Sequence, residues 1–240
     1  MTILLIVLVI VIGLAIWLAL SDQVIARLAE RKASEYLEAP LGVPARVRLN
    51  GTPFLTQALR GRYTEIEVTS HGLQLGDIAG ASLSANLFNS YLPLRDLLGG
   101  RARELPCERV VGHVVLPYSE LARVAKVPGL SLTFEEGQLI AAASLPVPGI
   151  SQLARVSGRA ELTVTGGSGV WLRVRGIAVA GISLPGIVVN QLLPALNVPI
   201  PLPPLPYGLA LDSLQPRADG ILASGSARAV VFRRLPVPGR

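Results

Sequence analysis

One cysteine, two histidines and a 5% share of aromatics leave this 240-residue chain few means of covalent chemistry. With Cys107 alone, no intramolecular disulfide can form, and the redox compartment stays open. His71 and His113 lie far apart, and neither has a second His, Cys or acidic residue at a chelating helical spacing, which excludes a zinc site of the usual pattern. No GxGxxG or P-loop stands between a strand and a helix. GGSGV at 166–170 lacks the closing glycine of a nucleophile elbow, and SGSAR at 224–228 does not fit it either. The adjacent acids Glu135 and Glu136 read as a hairpin turn rather than an acid/base pair. The residues thus point to a chain that is not an enzyme and carries no cofactor. Lysine is nearly absent: of 22 basic residues only Lys32 and Lys126 are lysines. The net charge of +6 contains no basic run interleaved with aromatics, so nucleic acid is a poor partner and the phosphates of lipid headgroups a better one.

What the chain has in excess is apolar material, 50% of residues against 16% charged. Its first twenty residues, MTILLIVLVIVIGLAIWLAL, carry no charge. A helix of that length spans roughly 30 Å, the thickness of a bilayer core. Residues 1–21 therefore read as a transmembrane anchor or a signal peptide. Ala19 and Ser21 suit a cut before Asp22, whereas the length of the run favours retention. Arg27, Arg31 and Lys32 follow the segment and no basic residue precedes it, which by the positive-inside rule alone places the remainder in the cytoplasm.

Residues 22–240 read as one domain. DQVIARLAERKASEYLE (22–38) spaces Val24, Ile25, Leu28, Ala29, Tyr36 and Leu37 mostly three or four apart, predicting an amphipathic helix whose stripe packs on a sheet or, alternatively, lies on a bilayer surface. Beyond Pro40 the period becomes two. ARVRL (45–49), YTEIEVTS (63–70), ASLSANLF (81–88), LSLTF (130–134), ELTVT (161–165), VWLRVRG (170–176), GLALDS (208–213) and ILASGSARAVVF (221–232) alternate, with turn signals at EEGQ, GGSG and RADG. The fold class is α+β, mostly antiparallel β. Short helices are expected at 54–61, 93–100, 117–125 and 185–196, too small to roof such a sheet. Leaving half of one face wet would forfeit on the order of 10 kcal/mol. The sheet must curl on itself, wrap the helix, or be lined by an apolar guest. LPALNVPIPLPPLPYG (193–208), with six prolines, can serve only as an edge or an extended loop and offers a rigid apolar rim.

Three segments carry a resemblance: GTPFLTQALRGRYTEIEV (51–68), VVGHVVLPYSELAR (110–123) and PLPPLPYGLALDSLQPRADGILASGSA (201–227). In this order they resemble the LmeA-like phospholipid-binding family of actinobacteria. The resemblance implies an extracytoplasmic envelope protein, membrane-anchored or secreted, that binds phospholipids including phosphoinositides. It also implies support of lipomannan synthesis alongside an envelope glycosyltransferase, without catalysis. Kinship with tubular lipid-binding folds implies a strongly curved sheet wrapped around the amphipathic helix. Lipid contact then falls to Phe54, Leu55, Leu59 and Tyr63, to Tyr118 and Leu121, and to Pro203, Pro204, Leu205, Tyr207, Leu209 and Leu211. The apolar strand faces add Ile66, Val68, Leu83, Leu87, Leu132 and Phe134. For each of these, core packing is the competing role. Arg60 and Arg62, flanking Gly61, can meet a phosphate bidentately. The alternative function is a scaffold that steadies a membrane-bound envelope enzyme.

Overall fold

The computed structural model describes residues 22–35, 37–38, 41–93, 95–96, 104–147, 153–165, 169–179, 182–183, 185–200 and 209–233. The uncharged segment 1–21 lies outside them, and no helix among the described residues is long and apolar enough to cross a membrane. The chain is mostly strand: β1 (Ala45–Asn50), β2 (Arg62–Leu75), β3 (Ile78–Tyr91), β4 (Glu104–Leu116), β5 (Ser131–Glu135), β6 (Gln138–Pro146), β7 (Leu153–Thr165), β8 (Gly169–Val179), β9 (Ile182–Ser183), β10 (Val198–Ile200), β11 (Ala210–Arg217) and β12 (Gly220–Arg233). Helices are α1 (22–35), α2 (Phe54–Arg60), α3 (Tyr118–Val124) and α4 (Gly186–Leu196).

Antiparallel pairing is as expected, but the strands form two sheets instead of one curved sheet. The first runs β1-β2-β3-β4-β12-β11 and the second β10-β8-β7-β6-β5, with β9 also on β8. The reason lies at β4: its second edge is taken by β12, so β5, arriving after α3, has to start a new ladder. Neither sheet closes, since β1 and β11 end one and β10 and β5 the other. The proline-rich stretch is only partly the expected edge: its first residues, 193–196, end α4 with Pro194 inside the helix, β10 places Pro199, lacking an N–H, on an outermost strand, and 201–208 lie outside the described residues. The EEGQ and RADG turns join β5 to β6 and β11 to β12. Glu136 and Gly137 both have positive φ, 49° and 78°, as a two-residue turn matched to strand twist requires.

Two compact units divide the chain, one of residues 1–70, 84–110 and 228–240, the other of 71–83 and 111–227. In the first, β1 and β2 place Val47 opposite Val68 and Leu49 opposite Ile66, and Val47, Ile66 and Val68 are buried while Arg46 and Arg48 face outward. The outer edge of β1 is covered by α1. Ser34 Oγ accepts from the Val47 N–H (3.0 Å) and Glu30 Oε1 from the Leu49 N–H (2.9 Å). The pairing works because four helical residues rise about 6 Å and two strand residues about 7 Å. An edge that would otherwise invite a foreign strand is thereby satisfied.

The helix expected over 22–38 is present at 22–35 and 37–38, residue 36 lying outside the described residues, but the burial of its stripe differs from packing on the sheet. Ala29 is fully buried, while Val24 and Leu28 are 66% and 53% exposed. Close approach to a strand edge needs small side chains beside the acceptors, so alanine rather than leucine faces β1. Asp22, at the start of α1, accepts from the Phe54 and Leu55 N–H groups (2.8 and 2.5 Å) and satisfies the first donors of α2. Cys107 is buried and accepts from Ser90 Oγ at 3.2 Å; burial pushes its thiol pKa up, so it packs as a small apolar residue.

The second unit has its core on one face of the second sheet, where Val156, Leu172, Val174 and Ile177 are almost wholly buried. Asn197, just past α4, accepts the Val174 N–H with its Oδ1 at 2.8 Å, extending the edge protection that β10 begins.

Replacing Glu30 and Ser34 by alanine frees two strand-edge amides, each worth about 1 kcal/mol. The double variant is expected to unfold at lower denaturant, with hydrogen exchange at Val47 and Leu49 accelerated well beyond that of other β1 amides.

Candidate functional site

In the first unit the sequence candidates gather at the α2–β2 corner. Pro53 precedes α2, and Gly61 ends it in the left-handed conformation (φ 64°), donating to Ala58 O. A Cβ at Gly61 would lie 3.1 Å from the Pro93 Cα, and the Gly61 carbonyl accepts the Leu92 N–H at 2.8 Å, so the corner is clamped on both sides. This puts Arg60 and Arg62 outside, both exposed, on either side of a buried glycine. Phe54 and Tyr63 point inward, with ring centroids 6.1 Å apart. The Tyr63 hydroxyl is buried with no hydrogen-bond partner among the described residues, and burial raises its pKa.

Burial sorts the remaining candidates. Phe54, Tyr63, Ile66, Val68 and Leu87 are core in the first unit, as are Leu121, Leu132 and Leu211 in the second. Leu55, Leu83, Phe134 and Leu209 are half-buried and keep surface for a ligand, and Leu59 is 77% exposed. Tyr118 donates to the Arg217 carbonyl at 2.6 Å. Pro203, Pro204, Leu205 and Tyr207 lie outside the described residues.

The second unit carries an open groove of about 500 Å³ that the sequence reading touched only at Leu132. One wall is α3, with Ala122 and Arg123; the other is the 127–132 segment, with Val127, Leu130 and Leu132. Ser119 and Ser131 add hydroxyls. The volume lies within the ~300 to 1,000 Å³ of small-molecule sites, and the lining is divided between aliphatic side chains and the polar Ser119, Arg123 and Ser131. Its shape is fixed by main-chain bonds: Leu130 N–H to Val127 O (3.2 Å) and Ser144 N–H to Pro128 O (3.3 Å). A signal for the segment was present in VPG at 127–129, a turn between a helix and a strand.

The α3 wall is latched to the β2–β3 hairpin. Glu120 accepts the Ala79 N–H (3.0 Å) and pairs with Arg123 (2.6 Å), while Arg123 also donates to the Asp77 carbonyl. The hydrogen bond from Arg123, then that from Ala79, holds the Glu120 carboxyl below the usual carboxylate range, and the same pair raises Arg123. The two histidines sit elsewhere. His71 Nδ1 is 3.0 Å from Ser82 Oγ and His113 Nδ1 3.0 Å from Ser224 Oγ. Asp212 accepts from Ser226 (2.7 Å), not from His113, so no serine, histidine and aspartate act in series there. Among the described residues, no three His, Cys, Asp or Glu side chains cluster as metal ligands.

Comparison with known proteins matches residues 20–226, most of the chain, to a family described as LmeA-like phospholipid-binding. No curated protein and no solved structure matches it.

Two outcomes follow from this geometry. Tyr63→Phe removes a buried hydroxyl that has no partner among the described residues and is expected to leave stability unchanged or raise it by up to about 1 kcal/mol, read from the denaturant midpoint. The Glu120 latch has a depressed folded-state pKa, so its contribution is present above the unfolded carboxylate value and is lost as pH falls through the lower, folded one. The Ala79 amide resonance is expected to titrate below the ordinary glutamate range, and Glu120→Gln to abolish that titration.

Proposed function

The chain belongs to the LmeA-like phospholipid-binding family, and from that membership we propose that it takes up a phospholipid in an apolar groove and presents or shuttles it in the cell envelope. The family match over residues 20–226 is the observation that carries the reading. The groove beside α3 supports it: Val127, Leu130 and Leu132 offer an acyl chain aliphatic contact, and Ser119 and Arg123 offer donors for a phosphodiester. Exposed Arg60 and Arg62 form a second place where a phosphate can meet two guanidiniums.

Energetics favours exchange over permanent capture. Each methylene moved out of water contributes about 0.8 kcal/mol, so a sixteen-carbon chain gains on the order of 12 kcal/mol relative to water. Relative to a bilayer, itself hydrocarbon, the gain nearly vanishes. Headgroup contacts then decide which lipid is held, with phosphoinositides among the ligands. Residues 1–20 tether the domain on the extracytoplasmic side, where it serves lipoglycan synthesis beside a glycosyltransferase, as a binding protein rather than a catalyst.

The test is lipid extraction from the full chain after exchange into a lipid-free amphiphile, with mass spectrometry of what is released. Phospholipid near one per chain is expected, and roughly tenfold less in Val127→Asp/Leu130→Asp at unchanged circular dichroism, since each buried apolar side chain is worth more than about 1.4 kcal/mol. A parent chain that yields no phospholipid and takes up none from labelled vesicles would sink the reading.

A further inference from the structure

The second sheet has an arginine face that the core does not use and that touches the groove only where Arg155 meets Ser131. On β7 and β8 the inward residues Val156, Ala160, Leu172 and Val174 are buried, so their neighbours in sequence, Arg155, Arg159, Arg173 and Arg175, face outward, and all four are exposed. The register brings them together: Arg159 lies directly opposite Arg175, Glu161 opposite Arg173, and Thr163 opposite Trp171. Strands sit about 4.8 Å apart and rise about 3.4 Å per residue, so the row from Arg155 to Glu161 covers about 20 Å.

Like charges directly opposed across a ladder destabilise it, and here they are only partly neutralised. Glu161 pairs diagonally with Arg175 at 3.3 Å, both well exposed. Glu135, farther out on β5, accepts from Thr133 Oγ1 (3.1 Å). Arg155 donates to Ser131 Oγ at 3.3 Å. The side chains of Arg159 and Arg173 make no hydrogen bond or ion pair among the described residues. Trp171, 39% exposed, closes the row beside Pro199 of β10.

We infer that this arginine face docks the second unit on an anionic bilayer surface, with the guanidiniums on headgroup phosphates and Trp171 at the interface. The inference rests on the lipid-binding reading above and adds a second contact to it, distinct from the groove. Guanidiniums suit phosphate because their planar fork donates two bonds at once, and each basic residue near an anionic leaflet contributes about 1 kcal/mol. A single tryptophan at the end of a basic row matches an interfacial anchor, whereas a nucleic-acid platform needs several aromatics on which bases stack. The face belongs to a chain whose sequence also holds twenty uncharged residues of membrane-spanning length.

The experiment uses the full chain carrying Trp17→Phe, which leaves Trp171 as the one tryptophan. It is mixed with vesicles of brominated phosphatidylcholine, alone or with about one third phosphatidylglycerol, an anionic fraction chosen to give a strong surface potential. Quenching of Trp171 is expected to be several-fold stronger with the anionic vesicles than with phosphatidylcholine alone, and the excess is expected to vanish in high salt. Arg159→Gln/Arg173→Gln should weaken docking about fivefold per arginine, and Glu161→Gln should strengthen it, an outcome that misfolding cannot produce. Equal quenching on both vesicle types, or quenching indifferent to salt, overturns the inference. So does a face that ignores lipid but binds a single-stranded oligonucleotide in an Arg159- and Arg173-dependent way. Phospholipid extracted from a chain whose Trp171 ignores anionic vesicles overturns the docking alone. Docking by a chain that carries no lipid overturns the groove alone.

Discussion

The free edge of β1 is the constraint from which the first unit follows. A strand at the end of a sheet presents backbone N–H groups that must find acceptors, and here they find Ser34 and Glu30 on α1. That demand orients the helix: acceptors and alanines turn toward the strand, and the larger apolar residues Val24 and Leu28 turn away. It also places Asp22 where it can satisfy the first amides of α2, after which Gly61 reverses the chain into β2. The exposure of Arg60 and Arg62 is therefore the last step of a chain of backbone requirements.

The second unit separates its tasks by the two faces of one sheet. Strand alternation puts Val156, Leu172 and Val174 on the side that supplies cohesion and leaves arginines on the side that supplies none. The helix α3, held by Glu120 and Arg123, gives the unit its apolar groove. An apolar-walled groove and a cationic face thus occupy different surfaces of one unit.

Much of this was legible from residue order. Ile66 and Val68 alternate with Glu65 and Glu67, and the first pair is buried. The short helices at 54–60 and 118–124 could be read because prolines stand before both and a glycine follows the first. The strand β6 gave no period, since Ala141, Ala142 and Ala143 are buried in succession on both faces. The packed side of α1 was misread because apolar size was taken as the criterion, while acceptor positions decide it. Two sheets in place of one could not be foreseen, as the pairing of β12 with β4 is a contact of long sequence separation. The groove escaped for a similar reason: α3 and the 127–132 segment are unremarkable apart and apolar only together. The arginines of VWLRVRG were visible as alternation, but their opposition to Arg159 depends on a register shifted by a bulge between Ser157 and Arg159.

The antiparallel clasp between α1 and β1 has a mechanical meaning. Its two acceptors are four positions apart on the helix and their donors two apart on the strand, so tension entering at residue 22 along the helix axis loads both bonds in parallel. Shear of this kind resists pulling far better than peeling, in which bonds fail one after another. Tension applied at the start of α1 is thereby met at the end of the sheet by the arrangement suited to it.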